Sequence, residues 1–129
     1  MIPGITEADV CRFTEGDCHI LAYALNKRTS YPIATFYYEE DYKHCGDIHA
    51  FILLPGGRVL DVTGIHAQKD FYREWITRHD YGEDYKITPQ SWRELRRAWG
   101  GASVSSYSYR RAAIVANTLL DRYRTELSL

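Results

Sequence analysis

The stretch DIHAFILLPGGRVLDVTG, residues 47–64, decides the fold of this chain. Two apolar runs flank the segment PGG, residues 55–57, and the second run is rich in residues that favour strands. A short glycine-containing turn between two such runs is typical of a β-hairpin. The stretch therefore predicts a pair of antiparallel strands.

The register of this hairpin follows from its turn, which we place between Leu54 and Arg58. His49 then lies opposite Thr63, near the far end of the hairpin. Because side chains alternate between the two faces of a sheet, odd-numbered residues share one face, His49 and Asp61 among them. A slip of one residue would separate these two side chains. The hairpin thus predicts that an imidazole and a carboxylate lie close together.

A cysteine precedes the hairpin in the stretch EGDCHILAYAL, residues 15–25, directly after an acidic, glycine-containing turn. Apolar residues follow there with the spacing of one helix face: Cys18, Leu21, Ala22 and Leu25. The pattern predicts a helix from about Asp17, with Cys18 in its first turn. Unpaired backbone N–H groups and the helix dipole lower a thiol pKa at this position from its ordinary value of about 8.5.

The remaining patterns complete an α+β fold. They predict, in chain order, a helix at 6–13, a strand at 31–38 and helices at 67–80, 88–99 and 109–127. Thr6 with Asp9 three residues later is typical of a capping box, and Thr88 followed by Pro89 indicates the start of the fourth helix. The expected architecture is a helix packed on a small antiparallel sheet, followed by C-terminal helices.

Composition limits the class of protein. The chain has 129 residues, of which 45% are hydrophobic and 26% charged, and this suits one folded domain spanning 1–129. A formal net charge of -1 gives no reason to expect a nucleic-acid partner or an anionic membrane. The chain has neither an apolar run of about 20 residues nor a secretory signal, so we expect a cytoplasmic protein. Three cysteines are an odd number and do not indicate a disulfide framework.

Three side chains suggest a reaction. Cysteine chemistry on amides and thioesters needs a thiolate, an imidazole that holds and delivers the proton, and a group that orients the imidazole. In chain order, these are supplied by Cys18, His49 and Asp61. We expect the first turn of the cysteine helix to contact the hairpin, so that the three side chains meet in a cleft that solvent reaches.

The neighbours of the cysteine are candidates for a helix cap or for contact with an oxyanion: Asp17 and His19. The backbone N–H groups of the same turn, including that of Cys18, are further candidates for the oxyanion contact. The carboxylate of Asp17 would raise the thiol pKa if it faced the sulfur, and it would cap the helix if it turned to the amides. The sequence leaves both orientations open.

The segments GDCHILAYAL and HAFILLPGGRVLDVTG together resemble the core of the papain-like cysteine enzymes in the broad sense. That group includes transglutaminases, arylamine acetyltransferases, peptidoglycan amidases and protein deamidases. In it, a cysteine begins a central helix, while a histidine and an aspartate or asparagine lie on adjacent strands of the sheet that follows. The resemblance covers residues 14–64 and implies that Cys18 is the nucleophile, His49 the base and Asp61 the orienting acid.

The chain also departs from this family. Papain-like proteases usually carry a glutamine a few residues before the cysteine, and here that neighbourhood holds Arg12, Phe13 and Thr14. Residues 65–129 form a mainly helical half that matches no family we can name, so the part that selects a substrate is not placed.

The leading hypothesis is a cysteine-dependent hydrolase or acyl transferase, such as a protease, a deamidase or a transglutaminase-like enzyme. It would act on a protein or peptide substrate and need no metal or organic cofactor. The alternative is a non-catalytic binding protein or inhibitor that keeps a papain-like fold and works through its aromatic and Arg-bearing helical half. Nothing in the pattern indicates an oligomeric state.

A zinc site is a weaker alternative. It would use His44, Cys45 and His49, joined by Cys18 or His19. Structural zinc sites usually contain ligand pairs at compact spacings such as C-x-x-C, which this chain lacks. We expect the remaining histidines, His66 and His79, at the surface.

Overall fold

A computed structural model describes residues 2–38, 46–79, 85–98 and 105–128. These ranges contain five helices and a five-stranded antiparallel sheet, an α+β arrangement. The helices are α1 (Glu7–Glu15), α2 (Cys18–Thr29), α3 (Gln68–His79), α4 (Trp92–Ala98) and α5 (Ser106–Arg122). The strands are β1 (Ile33–Tyr38), β2 (Gly46–Leu54), β3 (Arg58–Asp61), β4 (Gly64–Ala67) and β5 (Tyr85–Gln90).

The predicted hairpin forms the β2–β3 pair, and its register is confirmed next to the turn. Thr63, expected opposite His49, lies instead in the turn that follows β3. Leu54 pairs with Arg58, and Ile52 pairs with Leu60. The sheet order is β4-β3-β2-β1-β5, and every neighbouring pair is antiparallel. The hairpin therefore provides the central strand of the sheet, β2, which lies between β1 and the second hairpin strand, β3.

The alternation of side chains along the hairpin divides the core into two layers. Even-numbered residues such as Ile52 and Leu60 belong to the cluster that includes Leu21 and Leu25 of α2. Odd-numbered residues such as Phe51 belong to a second cluster, which includes Phe36 from β1 and Phe71 and Trp75 from α3. Helix α2 lies directly on β2, and α5 packs against α2. The sheet thus has α2 on one face and α3 on the other.

The predicted capping box at the start of α1 is confirmed. The Thr6 hydroxyl accepts a hydrogen bond from the Asp9 backbone N–H, and the Asp9 carboxylate accepts one from the Thr6 N–H. Arg111 of α5 donates two further hydrogen bonds of 2.6 Å to the same carboxylate. The guanidinium lowers the pKa of Asp9 to about 2, against the opposing effect of burial. A side chain that caps α1 therefore also joins α1 to α5.

The helix predicted to begin at Thr88 is wrong at its start. Residues Thr88 and Pro89 lie in β5, an edge strand that pairs with β1. An edge strand tolerates a proline, because one side of its backbone needs no partner in the sheet. The helix that follows begins at Trp92, after reciprocal hydrogen bonds between Ser91 and Glu94.

Two further boundaries differ from the prediction. Strand β4 follows β3 after a two-residue turn, so the half of the chain after residue 64 contributes two strands as well as three helices. Helix α5 starts at Ser106 rather than 109, because the Ser105 hydroxyl accepts the Ser108 N–H as an N-cap. It ends at Arg122.

None of the described helices is long and apolar enough to cross a membrane.

The β3–β4 turn requires glycine at its end, and this gives a first prediction. Gly64 has φ +113, and a Cβ there would overlap the Tyr123 hydroxyl. We expect Gly64→Ala to lower the free energy of unfolding by more than the roughly 1–3 kcal/mol of backbone strain alone. Urea denaturation measures the change, provided that the m-value, the dependence of the unfolding free energy on urea concentration, is the same for both proteins.

Gly57→Ala is the matched control, since Gly57 has φ +70 and a Cβ there would meet no described atom within 4 Å. This variant should lose only the cost of the left-handed backbone. Equal destabilisation by the two substitutions would contradict the packing of Tyr123 against Gly64.

Candidate functional site

Helix α2 begins at Cys18, as the sequence predicts, and its first turn contacts the central hairpin. The Cys18 sulfur accepts a hydrogen bond from the Ala50 backbone N–H at 3.4 Å. Ala50 directly follows His49 in β2. The thiol therefore lies against the strand that carries the candidate base.

The candidate imidazole and carboxylate are hydrogen bonded, as the hairpin register predicts. Nε2 of His49 lies 2.8 Å from Oδ2 of Asp61. The other carboxylate oxygen, Oδ1, accepts hydrogen bonds from the Thr63 backbone N–H at 2.8 Å and from the Thr63 hydroxyl at 2.5 Å. Asp61 and Gly64 form the ends of the β3–β4 turn, a position at which Asp and Gly are favoured. Thr63 in the β3–β4 turn therefore fixes the carboxylate of Asp61, the residue at which the turn begins.

The His49 ring stands on the α3 face of the sheet. It stacks on the Trp75 indole with centroids 4.3 Å apart and an interplanar angle of 16°. With Nε2 engaged by Asp61, Nδ1 is buried and makes no hydrogen bond of ordinary geometry to any described residue. Nδ1 is therefore the ring nitrogen that remains for exchange with the thiol. Cys18 comes from α2 on the opposite face, and its sulfur reaches the strand backbone beside the ring.

Mutual charge interactions oppose the effect of burial in this cluster. Burial raises the pKa of the Cys18 thiol, but the neighbouring His19 and His49 side chains, the His49 charge and the Ala50 N–H lower it to about 6. Burial lowers the pKa of His49, but Asp61 and Cys18 raise it to about 9. The pKa of Asp61 is lowered despite its burial, chiefly by His49. Between these two values the thiolate and the imidazolium coexist beside an ionised carboxylate.

Asp17 adopts neither of the orientations considered from the sequence. Within the described residues its side chain makes no capping hydrogen bond to α2, although it occupies the N-cap position. Its carboxylate accepts a hydrogen bond of 2.6 Å from the Ser108 hydroxyl and lies 3.7 Å from the Arg12 guanidinium. The carboxylate is therefore directed toward α5, which provides its partner.

His19, the other flanking residue, directly follows the candidate nucleophile in α2. It is buried, and its side chain lowers the pKa of the Cys18 thiol. Its ring also stacks near Trp92 of α4, with centroids 6.1 Å apart. The thiol thus has an imidazole from its own helix as well as the one from β2.

The cluster is closed to solvent in this structure. Cys18 is 1% exposed, His49 0% and Asp61 3%. The expectation that solvent reaches the sulfur is therefore wrong for this conformation. A cleft of about 200 Å³ lies next to the cluster, and its lining includes Asp61, Thr63 and Trp75. Trp75 lines this cleft and stacks on His49, so its indole is in contact with both.

Sequence reasoning missed two residues of the site. Trp75 was assigned only to a helix, and its contact with His49 depends on how α3 packs. His66 was expected at the surface and is partly exposed on β4, but its Nε2 also lies 2.7 Å from the Thr63 hydroxyl. The signal that could have found it is DVTG, a tight turn that implies a returning strand two residues after the aspartate.

The zinc hypothesis used His44 and Cys45, and these two residues lie outside the described ranges. The side chain of His79, expected at the surface, also lies outside the description. Within the described ranges, no three His, Cys, Asp or Glu side chains are grouped so that they could hold a metal ion.

Comparison of the chain with models of known protein families, with curated proteins and with solved structures found no match.

The charge pairing gives a second prediction. In His49→Gln, we expect the pKa of the Cys18 thiol to rise well above its value of about 6. Burial raises this pKa, and the imidazolium that opposes the effect of burial would be absent. Thiolate ultraviolet absorbance against pH measures the midpoint in a background with Cys11→Ser and Cys45→Ser. Cys18→Ser supplies the blank, and an unchanged midpoint in His49→Gln would contradict the pairing.

Proposed function

We propose that this protein is a cysteine-dependent hydrolase or acyl transferase with a papain-like core, acting on an amide or a thioester. The observations that carry the proposal are the hydrogen bond between His49 and Asp61 and the contact of the Cys18 sulfur with the backbone N–H of Ala50, the residue after His49. A thiol, an imidazole and a carboxylate in this order are the groups that nucleophilic cysteine chemistry requires. The start of α2 at the cysteine and the antiparallel sheet beside it also suit such a core.

The first half of the reaction transfers an acyl group to sulfur. The Cys18 thiolate attacks the carbonyl carbon, and the carbonyl oxygen becomes an oxyanion near the backbone N–H groups at the start of α2. The His49 imidazolium then gives its proton to the departing amine or thiol. The bond from the carbonyl carbon to the leaving group breaks, and a thioester to Cys18 remains with a neutral imidazole.

The second half restores the enzyme. Neutral His49 takes a proton from water or from an acceptor amine, which attacks the thioester carbonyl. The carbon–sulfur bond breaks, Cys18 leaves as a thiolate, and His49 is again an imidazolium. Asp61 keeps its charge throughout and orients the ring. Water as acceptor gives hydrolysis or deamidation, and an amine gives acyl transfer.

The closed site requires an opening step. With Cys18 1% exposed, a substrate reaches the sulfur only after neighbouring side chains move. Trp75 lines the nearby cleft and stacks on His49, so a shift of α3 would uncover this face of the imidazole. Opening of a closed site on binding is a common step in enzymes and often limits turnover.

A protein or peptide substrate suits the amide chemistry, and the mechanism itself uses no cofactor. A thiolate nucleophile must remain reduced, which suits a cytoplasmic setting.

The burial of the cluster favours a second candidate, a non-catalytic binding protein that keeps the fold of such an enzyme. In that case the ion pair of Cys18 and His49 would be a structural element, and ligand binding would survive Cys18→Ala. An enzyme would lose turnover by orders of magnitude with the same substitution while remaining folded.

Alkylation at pH 6 provides the third prediction. Cys18 has a pKa of about 6 and is buried, whereas Cys11 is exposed. An unperturbed thiol with a pKa of about 8.5 is less than about 1% ionised at this pH. We expect iodoacetamide to modify Cys18 before Cys11 and Cys45, as read by mass spectrometry of peptides. Faster modification of the exposed cysteine would count against an activated, opening site.

Acylation by p-nitrophenyl acetate provides the fourth prediction and separates the two candidates. We expect a burst of p-nitrophenol, with one acetyl group on Cys18 that water then removes. Cys11→Ser should keep the burst, and Cys18→Ser should abolish it while the circular dichroism spectrum stays the same. A folded parent protein that takes up no acetyl group would favour the binding protein.

A further inference from the structure

A continuous row of hydrogen bonds runs from the edge of the cleft to the candidate base. We call it the polar chain, and it consists of His66, Thr63, Asp61 and His49. Its three links are 2.7 Å from His66 Nε2 to the Thr63 hydroxyl, 2.5 Å from that hydroxyl to Asp61, and 2.8 Å from Asp61 to His49. The mechanism proposed above uses only Asp61 and His49 of these four.

The direction of each hydrogen bond in the polar chain follows from proton counting. An ionised carboxylate can only accept, so the single hydroxyl proton of Thr63 is donated to Asp61. The Thr63 oxygen then accepts at its other side, and His66 must donate from Nε2. Both the imidazolium and the neutral form with its proton on Nε2 meet this requirement. The His66 ring is thus a donor to the group that donates to the carboxylate.

The surroundings of His66 hold its ring in place. His66 lies on β4, where it pairs with Val59 of β3. Its ring stacks on Phe71 of α3 with centroids 5.1 Å apart and an interplanar angle of 22°. A strand backbone and an aromatic face therefore fix the outer end of the polar chain.

The inner end needs this support because a carboxylate rotates about its bond to the chain. Asp61 Oδ2 binds His49, and Oδ1 is held by the backbone N–H and the hydroxyl of Thr63. With the hydroxyl held by His66, both carboxylate oxygens have fixed directions. Loss of the Thr63 hydroxyl would leave Oδ1 with the backbone N–H alone, and loss of His66 would free that hydroxyl to turn away from Oδ1. Either change would allow the carboxylate to turn away from the ring.

We propose that His66 and Thr63 are positioning residues, which hold the Asp61 carboxylate in the orientation that keeps the His49 ring aligned with Cys18. Their role in the reaction rests on the proposed function, whereas their role in pairing His49 with Cys18 does not. Neither residue touches the reacting atoms. The inference adds the cleft-facing side of the β3–β4 turn to the site.

Two pairs of substitutions test this role. Thr63→Val removes the hydroxyl and keeps the branched shape, while Thr63→Ser keeps the hydroxyl. His66→Leu removes the donor, while His66→Gln keeps an N–H donor. Glu15→Gln is the control, since Glu15 of α1 lines the same cleft outside the polar chain. Because Thr63 and His66 are substituted separately, one position still tests the polar chain if the variant at the other fails to fold.

The first measurement does not depend on activity. It is the ultraviolet titration of the Cys18 thiolate in the background with Cys11→Ser and Cys45→Ser. We expect an upward shift from about 6 in Thr63→Val and in His66→Leu, and no shift in the Ser, Gln and Glu15→Gln variants. An unchanged midpoint in folded Thr63→Val and His66→Leu overturns the inference.

The second measurement is the rate of acetylation by p-nitrophenyl acetate. We expect Thr63→Val and His66→Leu to slow it by about tenfold to a hundredfold, as small misplacements of reacting groups do, and the conservative variants to react at close to the parent rate. If the parent protein is never acetylated, the proposed function is refuted. The titration alone then tests whether His66 and Thr63 position Asp61. Acetylation of all variants at the parent rate refutes the positioning role.

Discussion

The register of the β2–β3 hairpin is the constraint on which the rest of the structure depends. It places Ile52 and Leu60 in the α2 layer and Phe51 in the α3 layer, so it determines which apolar groups fill each half of the core. The same register puts His49 and Asp61 on one face of the sheet, where their side chains hydrogen bond. A shift of one residue would exchange the two faces and separate the imidazole from the carboxylate. Core packing and site geometry therefore cannot vary independently along these two strands.

Burial and charge act together in the cluster. Removing a thiolate, an imidazolium and a carboxylate from water is costly, and burial opposes the charged form of Cys18, His49 and Asp61 alike. The same low dielectric strengthens their mutual attraction and their hydrogen bonds. Each charge is therefore favoured by its neighbours, and the loss of one partner leaves the others buried without compensation. This interdependence suits a nucleophile that must be ionised near neutral pH.

Local patterns allowed much of this arrangement to be predicted. The start of α2 at Cys18, the capping box of Thr6 and the hairpin register are each specified by residues within a few positions of one another. Strand β5 was missed because it exists through pairing with β1, about fifty positions earlier in the chain, while Thr88 and Pro89 have the local character of a helix start. The orientation of Asp17 was equally beyond local rules, since it is determined by Ser108. The stacking of Trp75 on His49 likewise depends on the docking of α3.

The sulfur and the ring come from opposite layers, with Cys18 supplied by α2 and the cover of His49 supplied by α3. The sulfur is held against β2 by a contact that α3 does not make. Mutations that accumulate on α3 would therefore reshape the cleft and the cover of His49 while leaving the position of the sulfur on β2 unchanged. This separation would let descendants of this chain diversify around the cleft at little cost to the placement of the cysteine.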